Sequence, residues 1–241
     1  MLKRDLDAIN RCVAALAPMA ELAMRKGINE LVASRQAARA VAAGQRAPNF
    51  LVQDVAGGPV SLESLLAQGP VVLIFYRGTW CPYCRSDLRA LETIAEGVRG
   101  LGATLVAISP LVKGARSKNT ELDLSFPLLT DANGAVAKMY GVNWELPDYL
   151  RDVQRELAPS IVGGEPGASI SLTIPARYVI ARDGVIVYAE VDPDFTKRPD
   201  PHELLVPLRQ LRSQRRNESR TTSLKPSGAR HRQSSGAKSK R

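Results

Sequence analysis

One stretch constrains this chain more than any other: Val71-Val72-Leu73-Ile74-Phe75-Tyr76, followed shortly by Cys81-Pro82-Tyr83-Cys84. An unbroken apolar run rich in β-branched residues, opened by Pro70, reads as a strand buried on both faces. Such a strand needs a covering layer on each side. The residues after it supply one, because Leu88, Leu91, Ile94, Ala95 and Val98 recur on a single stripe and predict an amphipathic helix from Cys81 to about Val98. Gly100 and Gly102 end that helix, and Thr104 to Ser109 forms a second buried strand. Residues 71–109 therefore read as a βαβ unit with a parallel strand pair, which sets the fold class as α/β.

The rest of the chain is arranged around that unit. Residues 2–43 carry Ala, Leu and Met at helical steps (Leu16, Met19, Ala20, Ala23; Ile28, Leu31, Val32), with a helix break expected at Gly27 and a helix end at Gly44. An extended segment is expected over 47–52, a turn at Gly57-Gly58-Pro59, and a short helix capped by Ser61 with Ser64 in its first turn. Further helices are expected over 113–124 and 131–140, with Phe126 to Leu129 extended between them. The Pro- and Gly-rich segment 143–169 reads as an inserted helix flanked by loops. Residues 176–181 and 185–191 read as a hairpin turned at Arg182-Asp183-Gly184, and a last helix spans 202–212. The expected organisation is an N-terminal helical extension (1–43), a main domain (44–212) and a disordered basic tail (213–241).

Charge belongs to that tail. The formal net charge is +9, and nine basic residues against Glu218 alone fall in 213–241. The main domain is close to neutral, so charge describes an appendage. The tail has no aromatic residue for base stacking, so contact with nucleic acid or an anionic surface is not the expected role. A content of 44% hydrophobic and 24% charged residues is that of an ordinary soluble protein. The first residues, Met-Leu-Lys-Arg-Asp-Leu-Asp, mix charges of both signs without an apolar core, which does not read as a secretory signal. No apolar stretch is long enough to span a bilayer, and cytoplasm is the expected location.

The chemistry points to cysteine. Three cysteines are too few for a disulfide framework, and two of them stand as Cys81-x-x-Cys84 directly after a buried strand at a helix start. Unpaired N–H groups and the positive end of the helix dipole favour a thiolate there. A two-residue spacer lets the sulfurs meet, so either cysteine can attack while the other resolves the disulfide. Arg77 and Arg85 add positive charge nearby, and Trp80 and Tyr83 flank the sulfurs. A zinc site needs about four ligands, and His202 and His231 are the only histidines to join the pair, so neither a metal nor a cofactor is expected. Cys12, beside Val13 and Leu16, reads as a buried inert thiol. Pro175, in Thr173-Ile174-Pro175, reads from spacing alone as an ordinary strand-start proline.

Residues 44 to about 210 resemble the peroxiredoxin-like branch of the AhpC/TSA superfamily, in the subgroup with a thioredoxin-style Cys-x-x-Cys. The resemblance rests on Gly44-Gln45-Arg46-Ala47-Pro48-Asn49-Phe50, on Phe75-Tyr76-Arg77-Gly78-Thr79-Trp80-Cys81-Pro82-Tyr83-Cys84, and on Tyr178-Val179-Ile180-Ala181-Arg182-Asp183-Gly184. Val191-Asp192-Pro193-Asp194-Phe195-Thr196 with Arg198-Pro199 adds to it. It implies a thioredoxin-like fold, with a central mixed sheet flanked by helices. It also implies a thiol peroxidase that reduces hydrogen peroxide or organic hydroperoxides and is recharged by a thioredoxin- or glutathione-type donor. A disulfide oxidoreductase using the same dithiol is the alternative. The peroxiredoxin resemblance puts Cys84 in the attacking position, whereas the thioredoxin resemblance puts Cys81 there. Pro175 would be the cis-proline facing the dithiol. The family pattern Pro-x-x-x-Thr-x-x-Cys is not met, since Arg77 and Cys81 hold its proline and threonine positions. The family's late-strand arginine aligns at Pro175, with Arg177 expected on the other face. Arg77, Thr79 and Arg177 are the residues that could stand in, and Arg77, Thr79, Trp80 and Pro175 are the expected substrate contacts. A homodimer through residues 2–43 or a sheet edge is a further expectation.

Overall fold

The computed structural model describes residues 1–110, 122–157 and 170–223. Most of the helix expected over 113–124, the end of the 143–169 insertion and the tail from 224 lie outside the described residues.

Strands β1 (Leu51–Asp54), β2 (Pro59–Ser61), β3 (Val71–Phe75), β4 (Thr104–Ser109), β5 (Leu128–Thr130), β8 (Ala176–Ile180) and β9 (Ile186–Val191) form one mixed sheet in the order β2-β1-β5-β4-β3-β8-β9. β6 (Asn143–Glu145) and β7 (Ser171–Thr173) pair separately as an antiparallel ribbon. Every residue of β3 is buried. It lies parallel to β4, with Val71 opposite Thr104, and antiparallel to β8, with Phe75 opposite Ala176. Three or four consecutive apolar side chains can be accommodated on a strand only where both faces are covered, and β3 is such a strand.

The helices are α1 (Leu2–Leu16), α2 (Pro18–Ala33), α3 (Leu62–Gln68), α4 (Pro82–Gly100), α5 (Ala135–Met139), α6 (Asp148–Leu157) and α7 (Leu205–Ser223). The stripe of α4 is buried as expected: Leu88, Leu91, Ile94, Ala95 and Val98 all face the core. Ser61 caps α3 and forms a reciprocal capping box with Ser64. Before α5, whose N-cap is Gly134, the Asp131 carboxylate accepts from the first-turn amides of Val136 and Ala137.

Four local expectations need correction. The first helix break is at Ala17-Pro18, because Pro18 opens α2 at its first turn, where its missing N–H costs nothing. Gly27 instead lies buried inside α2 for a packing reason: a Cβ there would stand 2.4 Å from Leu150 Cδ1 of α6. α2 ends at Ala33, where Arg35 adopts φ +54, and Gly44 sits in a later turn whose amide donates to Ile186 O at 2.8 Å. The C-terminal helix does not stop at 212; α7 continues through Ser223, and the basic residues Arg215 and Arg216 are part of it. Cys12 is exposed on α1 and not buried, since the inward face of that helix is made by Leu2 and Leu6.

α1 packs on α4 and α2 on α6. Leu2, Leu6 and Leu31 join the same hydrophobic core as the central sheet. The helical hairpin therefore bears directly on the helix that carries the two cysteines. No described helix is long and apolar enough to cross a membrane.

Candidate active site

β3 delivers the chain to the loop 76–81, and α4 takes it away. Gly78 makes the bend between them at φ +133, and a Cβ there would come within 2.4 Å of Trp80 Nε1, so both the backbone and the space call for glycine. Trp80 Nε1 donates to Arg77 O at 3.0 Å. The Arg77 guanidinium lies over the Phe195 ring at 3.8 Å and beside Trp80 at 5.0 Å. Phe195 also meets Tyr83 edge-on, and the Tyr83 hydroxyl donates to Asn10 Oδ1 at 2.8 Å. The N-terminal helix thus holds Tyr83, one of the two residues between the cysteines.

Cys81 is the N-cap of α4 and Cys84 lies in its first turn, with exposures of 1% and 0%. Two donors reach Cys84 Sγ: the Arg77 amide at 3.4 Å and Arg198 Nη2 at 3.6 Å. Arg198 Nε donates to Asp87 Oδ2 at 3.1 Å, and the other oxygen of Asp87 takes Arg177 Nη2. Arg177 Nη1 donates to Pro199 O at 3.0 Å.

Burial pushes both thiols up, but the outcome differs between them. At Cys81 burial is outweighed by the hydrogen bond from Cys84 and by the positive charge of Arg77 and Arg198, so its thiol falls to about 6. Burial, and the proton it shares with Cys81, hold Cys84 well above the ordinary thiol range, and Arg198 and the Arg77 amide only partly offset this. The two shifts run in opposite directions, so of the pair Cys81 is the sulfur whose surroundings favour the negative charge and Cys84 the one whose surroundings favour the proton. A test follows from the sign. In a Cys12→Ser protein, alkylation of Cys81 by iodoacetamide should be constant above the midpoint near pH 6 and fall about tenfold per pH unit below it. A midpoint near the ordinary thiol value of about 8.5 would contradict this assignment.

Of the residues singled out in the sequence, Arg77 and Trp80 stand beside the dithiol, and Thr79 is buried in the same loop. Pro175 is buried at the mouth of β8, next to the end of β3. There is no cis peptide bond among the described residues, so Ile174-Pro175 is trans. Pro175 is an ordinary strand-start proline, as its spacing suggests, because a residue without an N–H fits where the ladder begins. Arg177 is not on the far face: positions two apart on a strand share a face, and its guanidinium reaches Asp87 on α4. Arg198 and Asp87 were not foreseen as site residues. Asp87 had a readable signal, since a carboxylate three residues after Cys84 falls within the apolar stripe of α4 and demands a buried partner. Arg198 had none, because the loop that carries it is fixed only by tertiary contacts.

The model of the AhpC/TSA family matches residues 43–189. The chain belongs to the AhpC/TSA family. Among curated relatives, thiol-disulfide oxidoreductase ResA of Bacillus thuringiensis is 30% identical over 122 residues, covering 50% of this chain and 69% of that protein. A Mycobacterium tuberculosis protein that carries a peroxiredoxin name is 34% identical over 114 residues, covering 46% of this chain and 73% of the relative. The fold is similar to that of peroxidoxin BcpB of Mycobacterium tuberculosis, with a TM-score of 0.55 at 24% identity over 72% of this chain and 97% of the other. It is also similar to that of a peroxiredoxin 6 variant of Arenicola marina, with a TM-score of 0.56 at 18% identity over 71% and 73%. The architecture is thus the thioredoxin-like one that peroxiredoxins use, the family is one of oxidoreductases, and the relatives similar to this chain include both peroxiredoxin-named and thiol-disulfide oxidoreductase proteins.

Proposed function

We propose that the chain is a thiol peroxidase in which Cys81 attacks and Cys84 resolves. The observation that carries this reading is the closure of the site: both sulfurs are almost wholly buried, with Arg77 interacting with Cys81 and Arg198 reaching Cys84. A hydroperoxide is small enough to reach a sulfur in such a site, whereas a protein disulfide has to bring its own sulfur into line with the attacking one. The Cys81 thiolate attacks the terminal peroxide oxygen; an S–O bond forms, the O–O bond breaks, and the alkoxide or hydroxide leaves and takes up a proton. Arg77, with Thr79 and Trp80 in the same loop, forms the near wall, where its positive charge favours the charge moving onto the leaving oxygen. Cys84 then loses its proton as its sulfur attacks the sulfenic acid, an S–S bond forms and water leaves. A thioredoxin- or glutathione-type thiol returns two electrons. No step calls for a cofactor.

Disulfide exchange is the second reading, favoured by the low thiol of the first cysteine at a helix start and by the relatives named for that activity. The two are separated by stopped-flow tryptophan fluorescence of the reduced Cys12→Ser protein against hydrogen peroxide, tert-butyl hydroperoxide and glutathione disulfide. The peroxidase reading expects a hydroperoxide to oxidise the protein at least about 10²- to 10³-fold faster than it oxidises free cysteine, the scale that positioned donors supply. Peroxide rates equal to those of free cysteine, with rapid oxidation by the disulfide, would overturn it.

A further inference from the structure

We infer that the arginine face of α7, from Arg209 through Arg216, is a docking surface for double-stranded DNA, bound through its phosphates. Such binding does not depend on which oxidant the dithiol takes.

α7 has two halves of different character. Leu205 and Leu208 are buried and Leu211 packs on the same core, with Leu205 set against Gly97 of α4, so the first half is anchored on the domain. After Leu211 the helix has no apolar residue: it runs Arg212-Ser213-Gln214-Arg215-Arg216-Asn217-Glu218-Ser219-Arg220-Thr221-Thr222-Ser223. Residues 212–217 are all exposed. Arg212 Nη1 donates to Gly100 O at 3.1 Å and fastens the join of the two halves to the end of α4. Most helices in proteins are held by an apolar face that packs on a neighbour. The second half of α7 has no such face, and what it presents instead is charge.

That charge is regularly placed. Arg209, Arg212 and Arg216 stand at i, i+3 and i+7, on one face of the helix, and Arg220 follows four residues on. Among the described residues no ion pair engages Arg209 or Arg216. No acid occurs from Leu204 to Asn217. Glu218 is two positions from both Arg216 and Arg220, which puts it about 200° round the helix from them. Lys225, Arg230, Arg232, Lys238, Lys240 and Arg241 follow with no further acid. From sequence alone the charge belongs to a disordered appendage, which has no fixed spacing to match a partner. On α7 the spacing of its first part is fixed.

A duplex is the polyanion that suits such a face. Arg209 to Arg220 spans about 16 Å along the axis, over which one strand presents about five phosphates. A guanidinium pairs with phosphate through two parallel hydrogen bonds, which makes arginine the better residue for this contact. Three features narrow the partner further. A helix that lies on a lipid surface needs an apolar face, and this half has none. Single strands are gripped by stacking on aromatic rings, and no Phe, Tyr or Trp follows Phe195. A helix about 10–12 Å across fits the B-form major groove, about 12 Å wide, between its two lines of phosphates, whereas the A-form groove of duplex RNA is too narrow.

The test titrates a fluorescein-labelled DNA duplex with the reduced full chain and follows fluorescence anisotropy from about 50 to about 200 mM salt. Binding should weaken about 10²-fold across that range, the dependence expected for about four neutralised phosphates. Arg209→Gln with Arg216→Gln should weaken binding at the lower salt at least about tenfold and reduce the salt slope by about two. Gln214→Pro separates helix face from charge, because it keeps every charged residue and breaks α7 beyond its last core contact, Leu211. It should weaken binding by a similar factor. Arg209, Gln214 and Arg216 are all exposed, so both variants should keep the thermal midpoint of the domain and its rate of oxidation by hydrogen peroxide. Absence of binding at the lower salt, or unchanged binding by Gln214→Pro, would overturn the inference. So would a preference for anionic phosphatidylserine vesicles or for duplex RNA over duplex DNA.

Discussion

Cys81→Ser should abolish the fast reaction with hydroperoxide, a loss of about 10³-fold or more in the oxidation rate, while Cys84→Ser should keep that first step and lose only the disulfide. The reasoning follows the single proton of the reduced pair. Burial raises the cost of a charge on either sulfur, yet Cys81 has the Cys84 hydrogen bond and two guanidiniums to offset it, and it ionises at about 6. Cys84 is shifted the other way, by burial and by Cys81 beside it, and is the sulfur that favours the proton. A thiol is a poor nucleophile and a serine hydroxyl a worse one, so with Cys81 gone no reactive anion remains at neutral pH. In Cys84→Ser the serine hydroxyl can still donate to Cys81, so the thiolate persists and attacks. With no second sulfur the product stops at sulfenic acid, which dimedone would trap on Cys81 and mass spectrometry would locate. Label on Cys84 in the Cys81→Ser protein, formed at the full rate, would reverse the assignment and return the attacking role to the position that the peroxiredoxin resemblance implies.

What could be read from the sequence follows how locally each feature is determined. β3, α4 and β4 were legible because a doubly buried strand and a one-sided helix write their burial into consecutive residues. The capped start of α3 was legible for a similar reason, since Ser61 and Ser64 are three residues apart. The dithiol was legible from its place between that strand and that helix. Gly27 misled because a glycine inside a helix can mark a break or a close crossing, and only Leu150, far along the chain, distinguishes them. The β6–β7 ribbon was missed because each strand has three residues, too few to show an alternation. The arginine opposite Cys84 was hidden for a related reason. The family pattern directs attention to a late strand, but here the strand arginine, Arg177, supports a second one, Arg198, that comes from the following loop. The thread that could have led there was Asp87, a charge written into an apolar stripe.

Arg177→Met should be the most destabilising single change at the site, costing about 3–5 kcal/mol, seen as a fall in Tm on the order of 10 °C in a thermal melt. Methionine fills much the same volume, so the loss is one of charge and not of packing. Three interactions go with the guanidinium: to Asp87, to Glu190 and to Pro199 O. Asp87 keeps Arg198 but loses the partner of its other oxygen in a place where water cannot replace it. Glu190, pushed up to about 7 by burial even with Arg177 and Arg198 beside it, can take a proton and escape part of the penalty. The informative comparison is the triple variant Arg177→Met, Asp87→Leu, Arg198→Met, because Asp87→Leu alone would strand the buried Arg198 guanidinium whose Nε it holds. Removing all three charges together leaves neither a stranded carboxylate nor a stranded guanidinium and should recover part of the lost stability, as replacement of buried ion pairs by apolar residues commonly does. It should not recover the ionisation of Cys84, because no guanidinium from that side then faces its sulfur. A triple variant that regains stability but not thiolate would show that this buried charge chain is kept for the sulfur it serves and not for the fold. One that regains both would leave the chain with no role beyond packing.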